Sequence, residues 1–143
     1  MNVTTRTART TRTVRRTLSA SVVAATVAAV GLLAPSPAEA AASDCPSGSL
    51  CVWDQINYTG NRCSWSNADS DWTSGSVTCS WADDRNVKSV YNHGTSSSYE
   101  GVGLYSGAGY SGYLGCIGQG VKGPGVSGSP GLKVLSHKWL ANC

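Results

Sequence analysis

The residues with the most evident chemistry are six cysteines: Cys45, Cys51, Cys63, Cys79, Cys116 and Cys143. As thiolates they would hold a metal, but no C-x-x-C pair occurs and the two histidines, His93 and His137, lie far apart. As three disulfides they fit a short chain with an export leader and an even cysteine count. Hydrolytic chemistry finds little support. Neither histidine belongs to an H-E-x-x-H, and no G-x-S-x-G elbow exists. His93, between Asn92 and Gly94, has a turn-like setting; both histidines read as surface or hydrogen-bonded residues. Asp69 and Asp71, two apart and beside Trp72, have the look of glycosidase carboxylates, but in a Ser/Asn-rich segment they read as solvated turn residues. Asp83 and Asp84 read as caps of a turn, pairing with Arg85 or Lys88. The expectation is a protein that is not an enzyme and needs no cofactor.

The first forty residues carry a different message. Arg6, Arg9, Arg12, Arg15 and Arg16 precede an apolar stretch from Leu18 to Ala34, and Pro35-Ser36-Pro37-Ala38-Glu39-Ala40 ends in small-x-small. That is the pattern of a cleaved secretory leader, residues 1–40. Arg15-Arg16 has a twin-arginine look, but its context favours the general route. Of the eleven Lys and Arg, five leave with the leader, so residues 41–143 carry six bases against seven acids. A net charge near −1 argues against a basic nucleic-acid binder and against electrostatic binding to a membrane after cleavage. The expected location is extracellular.

Residues 41–143 form one domain by length. Leu, Ile and Val total only 16 and Phe is absent, yet all five Trp and all six Tyr are here. Large rings and sulfur bridges must replace the missing aliphatic core. Sixteen glycines argue against helices. Short apolar runs at 50–53, 87–91, 102–105 and 132–135, separated by turn residues, predict an all-β sandwich or barrel. Asp69 to Ser76 and Gly118 to Gly131 read as longer loops. Trp53 and Trp139 are expected in the core. Trp65, Trp72 and Trp81 sit in polar surroundings, where burial competes with stacking on a glycan.

One repeat organises these runs. Leu50-x-Val52-Trp53-x4-Tyr58-x-Gly60 recurs as Val102-x-Leu104-Tyr105-x4-Tyr110-x-Gly112, every position offset by 52. The first ring sits on a strand, the chain folds over a hairpin, and the second ring packs back across it. The glycine takes a conformation that a side chain would forbid. The repeat resembles the Greek-key signature of βγ-crystallins, once per half. The opening Cys45-Pro46-Ser47-Gly48-Ser49-Leu50-Cys51 is similar to that of the secreted actinobacterial peptidase inhibitors typified by the Streptomyces metalloproteinase inhibitor, which share that fold.

The resemblance implies an all-β, βγ-crystallin-like sandwich of two Greek-key motifs, residues 45–92 and about 99–143, and inhibition of an extracellular protease, specifically a metalloprotease. Spacing leaves fifteen cysteine pairings open. The resemblance implies Cys45–Cys51, and Cys63–Cys79 with Cys116–Cys143 would keep each bridge within one half. Two departures matter. The family's reactive bond lies on a loop closed by a second short disulfide, and no second close cysteine pair exists here, so that bond is not carried over. The candidate loops are Asn67 to Ser80, with Asp69, Asp71, Trp72 and Thr73, and Gly118 to Gly131; the first is favoured if Cys63 bonds Cys79. The calcium-ligand series is also broken: Asp84-Arg85-Asn86-Val87-Lys88-Ser89 places cations among the ligands, and Pro130 to Val134 offers none. A non-inhibitory binding module for cell-wall glycan is the competing reading.

Overall fold

The computed structural model describes residues 41–143; the expected leader, residues 1–40, lies outside the described residues. Seven strands occur in it: β1 (Ser49–Trp53), β2 (Arg62–Trp65), β3 (Ser89–His93), β4 (Gly101–Gly107), β5 (Ser111–Gly118), β6 (Lys122–Gly123) and β7 (Ser136–Leu140). They form two antiparallel sheets, ordered β2-β1-β3-β6 and β5-β4-β7. Each sheet borrows from the other half. β6, from the second half, pairs with β3. Asp69, from the first half, bridges His137 on β7. With both exchanges, each half is a Greek key, and the whole is the βγ-crystallin-like sandwich.

Alternation along the strands divides the core. Leu50 and Val52 face one way and, with Trp65, Trp72, Trp81, Val102, Leu104 and Val134, fill the space between the sheets. Cys51 and Trp53 face the other way and are covered by Ala42, Cys45, Tyr58 and Tyr91. The chain thus builds two layers of core from few aliphatic residues, because each tryptophan excludes water from the area of several.

The two repeated corners have one geometry. Tyr58 packs edge-to-face on Trp53 at 5.3 Å, and Tyr110 on Tyr105 at 5.7 Å. Tyr58 and Tyr110 themselves lie in the left-handed region, with φ of 59° and 60°, a conformation that costs a non-glycine residue about 1–3 kcal/mol and persists only where surroundings fix it. Two serines do the fixing. Ser89 Oγ accepts from the Tyr58 N–H and donates to Gln55 O, and Ser136 Oγ accepts from the Tyr110 N–H and donates to Gly107 O. Gly60 (φ 80°) and Gly112 (φ 67°) follow, and a Cβ at either would overlap a side-chain oxygen, of Asp54 and Ser106 respectively.

Several expectations need correction. The run 132–135 is not a strand: Leu132 makes an isolated bridge to Val87, and the strand is the polar-looking Ser136–Leu140. Its Ser136 and His137 are buried because both hydrogen-bond inside the fold. β2 and β5 were not expected, since alternation in them is masked by Arg, Ser and Gly. The loop Gly118 to Gly131 contains the short β6. His93 ends β3, stacked on Tyr91 at 4.7 Å, its Nδ1 donating to Cys45 O at 2.9 Å. Arg85 pairs not with its acidic neighbours but with the buried Asp54, at 2.5 Å.

Candidate functional site

The segment from Asn67 to Ser80 crosses from β2 on the first sheet to the edge of the second. Its middle is wholly exposed: Thr73, Ser74, Gly75, Ser76, Val77 and Thr78 all face solvent, between buried Trp72 and buried Cys79. The two buried residues are joined to each other, the Cys79 N–H donating to Trp72 O at 2.7 Å. Cys79 is bonded to Cys63 on β2. The other bridges are Cys45–Cys51 and Cys116–Cys143, and no described cysteine is free.

Trp72 is the second anchor, and of the two settings weighed for it the structure shows burial. It is 0% exposed and presents nothing to a partner. Its ring stacks on Trp65 at 4.4 Å, its N–H donates to Leu135 O, and its indole Nε1–H donates to His137 Nδ1 at 2.8 Å. An indole nitrogen only donates, so Nδ1 carries no proton and Nε2 does. That Nε2–H donates to Asn67 O at 3.0 Å. The main chain of His137 exchanges two hydrogen bonds with Asp69, at 2.9 and 3.0 Å. One residue of the second half therefore holds three points, Asn67, Asp69 and Trp72, on the segment from the first. Burial pushes the His137 pKa down to about 4, against the opposing pull of the Asn67 carbonyl and the Asp69 charge.

The acids expected in this loop serve its turns. Asp69 Oδ1 accepts from the Asp71 N–H. Asp71 accepts from the N–H and hydroxyl of Thr73 and from the Ser74 hydroxyl, and these bonds hold its carboxyl below the usual range. Thr73 opens the exposed stretch. Val77, 42% exposed, is its one aliphatic side chain, and sequence reasoning passed over it. The only signal was an isolated valine amid Ser, Thr and Gly before a cysteine.

The other expected sites lie elsewhere. Trp53, Tyr58, Gly60, Tyr105, Tyr110 and Gly112 make the two corners, away from this loop in sequence and role. Trp65 and Trp81, at 4% and 6% exposure, are buried like Trp72, so no exposed indole face exists among these three for stacking on a glycan. Trp139 is half-buried against the inter-sheet core. At the broken calcium series, burial raises the pKa of Asp54, but hydrogen bonds from Asn61 and Arg85 outweigh it and hold the carboxyl low. Asp54, Asp84, Arg85 and Lys88 line a shared cleft there. Among the described residues, no group of three His, Cys, Asp or Glu is arranged to hold a metal, and no helix is long and apolar enough to cross a membrane.

Among solved structures, the chain is similar to a βγ-crystallin from Ciona intestinalis (15% identity, 65% of this chain and 100% of that one, TM-score 0.47). It is likewise similar to a βγ-crystallin from an archaeon (15%, 66% and 100%, 0.47) and to a βγ-crystallin domain from Clostridium beijerinckii (18%, 66% and 99%, 0.45). No curated protein matches. A family model described as peptidase inhibitor family I36 matches residues 38–117, a span that holds the short bridged loop, the first corner and the pinned exposed segment. With more than half its length so matched, the chain belongs to peptidase inhibitor family I36.

Proposed function

We propose that this protein inhibits an extracellular metallopeptidase by offering Thr73–Thr78 to the enzyme's cleft as a substrate-like segment. The observation that carries the reading is the pinning of six exposed residues between two buried, mutually hydrogen-bonded anchors. A loop segment loses conformational freedom when a protease binds it, and a segment already fixed at both ends loses less. The anchors are of different kinds. Cys79 is held covalently by Cys63, and Trp72 by stacking and by His137. If the enzyme cuts between them, the new ends stay close, which favours the intact, bound form over release. The family match includes this segment and stops before Gly118 to Gly131, which favours the first loop over the second.

Val77 supplies the side chain for an apolar subsite of the enzyme; its neighbours are small and polar. Its exposure means that its substitution alters binding with little effect on folding. The test pairs a thermolysin-type metallopeptidase with a subtilisin-type serine peptidase. The expected result is tight inhibition of the metallopeptidase, retained within a few-fold by Val77→Ile and reduced at least about a hundredfold by Val77→Asp at unchanged thermal stability. Inhibition of the serine peptidase alone refutes the target class. Inhibition of neither, or equal inhibition by Val77→Asp, refutes the loop.

A further inference from the structure

A second concave site lies beside β1, between the segments that follow β2 and β3. It encloses about 220 Å³ and has no charged residue in its lining. Two aromatic side chains stand in it: Tyr99, 51% exposed, and Trp139. The indole N–H of Trp139 is buried and has no hydrogen-bond partner. Gly94 keeps room over that ring, since a Cβ there would come within 2.9 Å of Trp139 Cζ3.

The polar groups of this pocket are uncommitted. Ser66, Asn67 and Thr95 line it, and neither their side chains nor the Tyr99 hydroxyl hydrogen-bonds another described residue. Ser96 Oγ accepts from the Ser98 N–H and retains its own proton to donate. Neutral donors and acceptors thus converge beside aromatic rings.

This combination discriminates among ligands. An anion or cation would be desolvated with no countercharge. A wholly apolar ligand would leave the amide and hydroxyls unsatisfied. The volume lies below the range for drug-sized ligands. A neutral sugar ring meets every requirement: one face carries C–H groups that pack on an aromatic ring, and the edge carries hydroxyls that both donate and accept.

We propose that this pocket binds a single neutral pyranose unit of a polysaccharide, with Tyr99 as its stacking platform, Ser66, Asn67 and Thr95 as hydrogen-bond partners, and the Trp139 ring as part of the apolar wall. The site is new relative to the buried tryptophans, and it stands apart from the inhibitory reading because no peptidase enters its test.

The experiment titrates the 15N-labelled protein with chitotriose, cellotriose and maltotriose and follows the Trp139 indole N–H signal. At least one sugar should shift that signal saturably, with a Kd of about a millimolar, as for a small shallow site. Tyr99→Ala should weaken binding at least about tenfold, and Tyr99→Phe should keep it within a few-fold, because stacking needs the ring. Thr95→Val should weaken binding with the spectrum otherwise unchanged. Failure of all three sugars to move the Trp139 signal at about ten times that concentration overturns the proposal. So does a shift that survives Tyr99→Ala undiminished.

Discussion

His137 offers the sharpest test of how the exposed segment is held. Its imidazole is neutral in the folded protein because Nδ1 must accept from Trp72 and the ring is enclosed by Trp65 and Trp72. A proton on Nδ1 would set two donors against each other. The folded pKa of about 4 lies below the ordinary 6.5, so between these values the unfolded chain binds a proton that the folded chain refuses. Stability from this group is therefore complete above pH 6.5, falls as pH drops toward 4, and changes no further below. At about 1.4 kcal/mol per pH unit, the gap sets a ceiling of roughly 3 kcal/mol, a large share of the stability of a domain this size.

The assay is urea unfolding at constant ionic strength, followed by tryptophan fluorescence, from pH 8 to pH 3.5 with the disulfides intact. The control is His137→Asn, whose amide oxygen can still accept from the Trp72 indole but does not titrate. The variant should be less stable than the parent at pH 7.5, since it does not reach Asn67 O as Nε2 does. Its stability should also fall less between pH 6.5 and 4, by about 2–3 kcal/mol. Other carboxylates contribute equally to both proteins and cancel in the difference. Superimposable pH profiles, or a His137 resonance titrating near 6.5 in the folded state, would refute the clamp.

Three further outcomes are expected. Ser89→Ala and Ser136→Ala each remove the acceptor for a left-handed tyrosine N–H at a buried site, and each should cost about 1–3 kcal/mol by denaturant titration. Ser89→Cys should recover little, because sulfur accepts weakly. Arg85→Ala leaves the buried Asp54 carboxylate with Asn61 as its remaining partner. It should raise the Asp54 pKa by NMR and make the protein lose stability at higher pH on acidification, whereas Asp54→Asn in the same background should restore part of the loss. A protein nicked within Thr73–Thr78 should keep both fragments together until Cys63–Cys79 is reduced, and should melt within a few degrees of the intact protein, because none of the six residues is buried.

The legible part of this fold was the part encoded by neighbours. Trp53, Tyr58 and Gly60 lie within eight residues, as do Tyr105, Tyr110 and Gly112, so spacing alone describes a corner whose atoms meet locally. The serines that stabilise these corners were not legible. Ser89 and Ser136 come from strands 31 and 26 residues away, and a serine before an apolar run looks like any turn residue. The tryptophans show the same limit. Trp72 is followed by Thr-Ser-Gly-Ser and preceded by Asp, which reads as exposed, yet in space it meets Trp65, Leu135 and His137. Polar flanks report where a backbone runs, and burial of a single side chain depends on what the remote half places opposite.

That dependence has a cause in the exchange of strands. Because the segment after β2 leaves its own sheet to bridge β7, it is held by His137 and Leu135 of the second half as well as by Trp65 of the first. The loop tip is then carried by the joint between the halves, and its rigidity draws on the whole sandwich as well as on the Cys63–Cys79 bond. A short disulfide loop fixes its tip locally and tolerates a loose domain. A sixteen-residue bridge alone leaves more freedom, and the missing constraint is supplied by Trp72 in its slot beneath His137. On this argument, loosening the joint should affect loop order before it affects overall folding. Hydrogen exchange at the Trp72 indole, compared with that of β1 and β4 amides, reads the two separately.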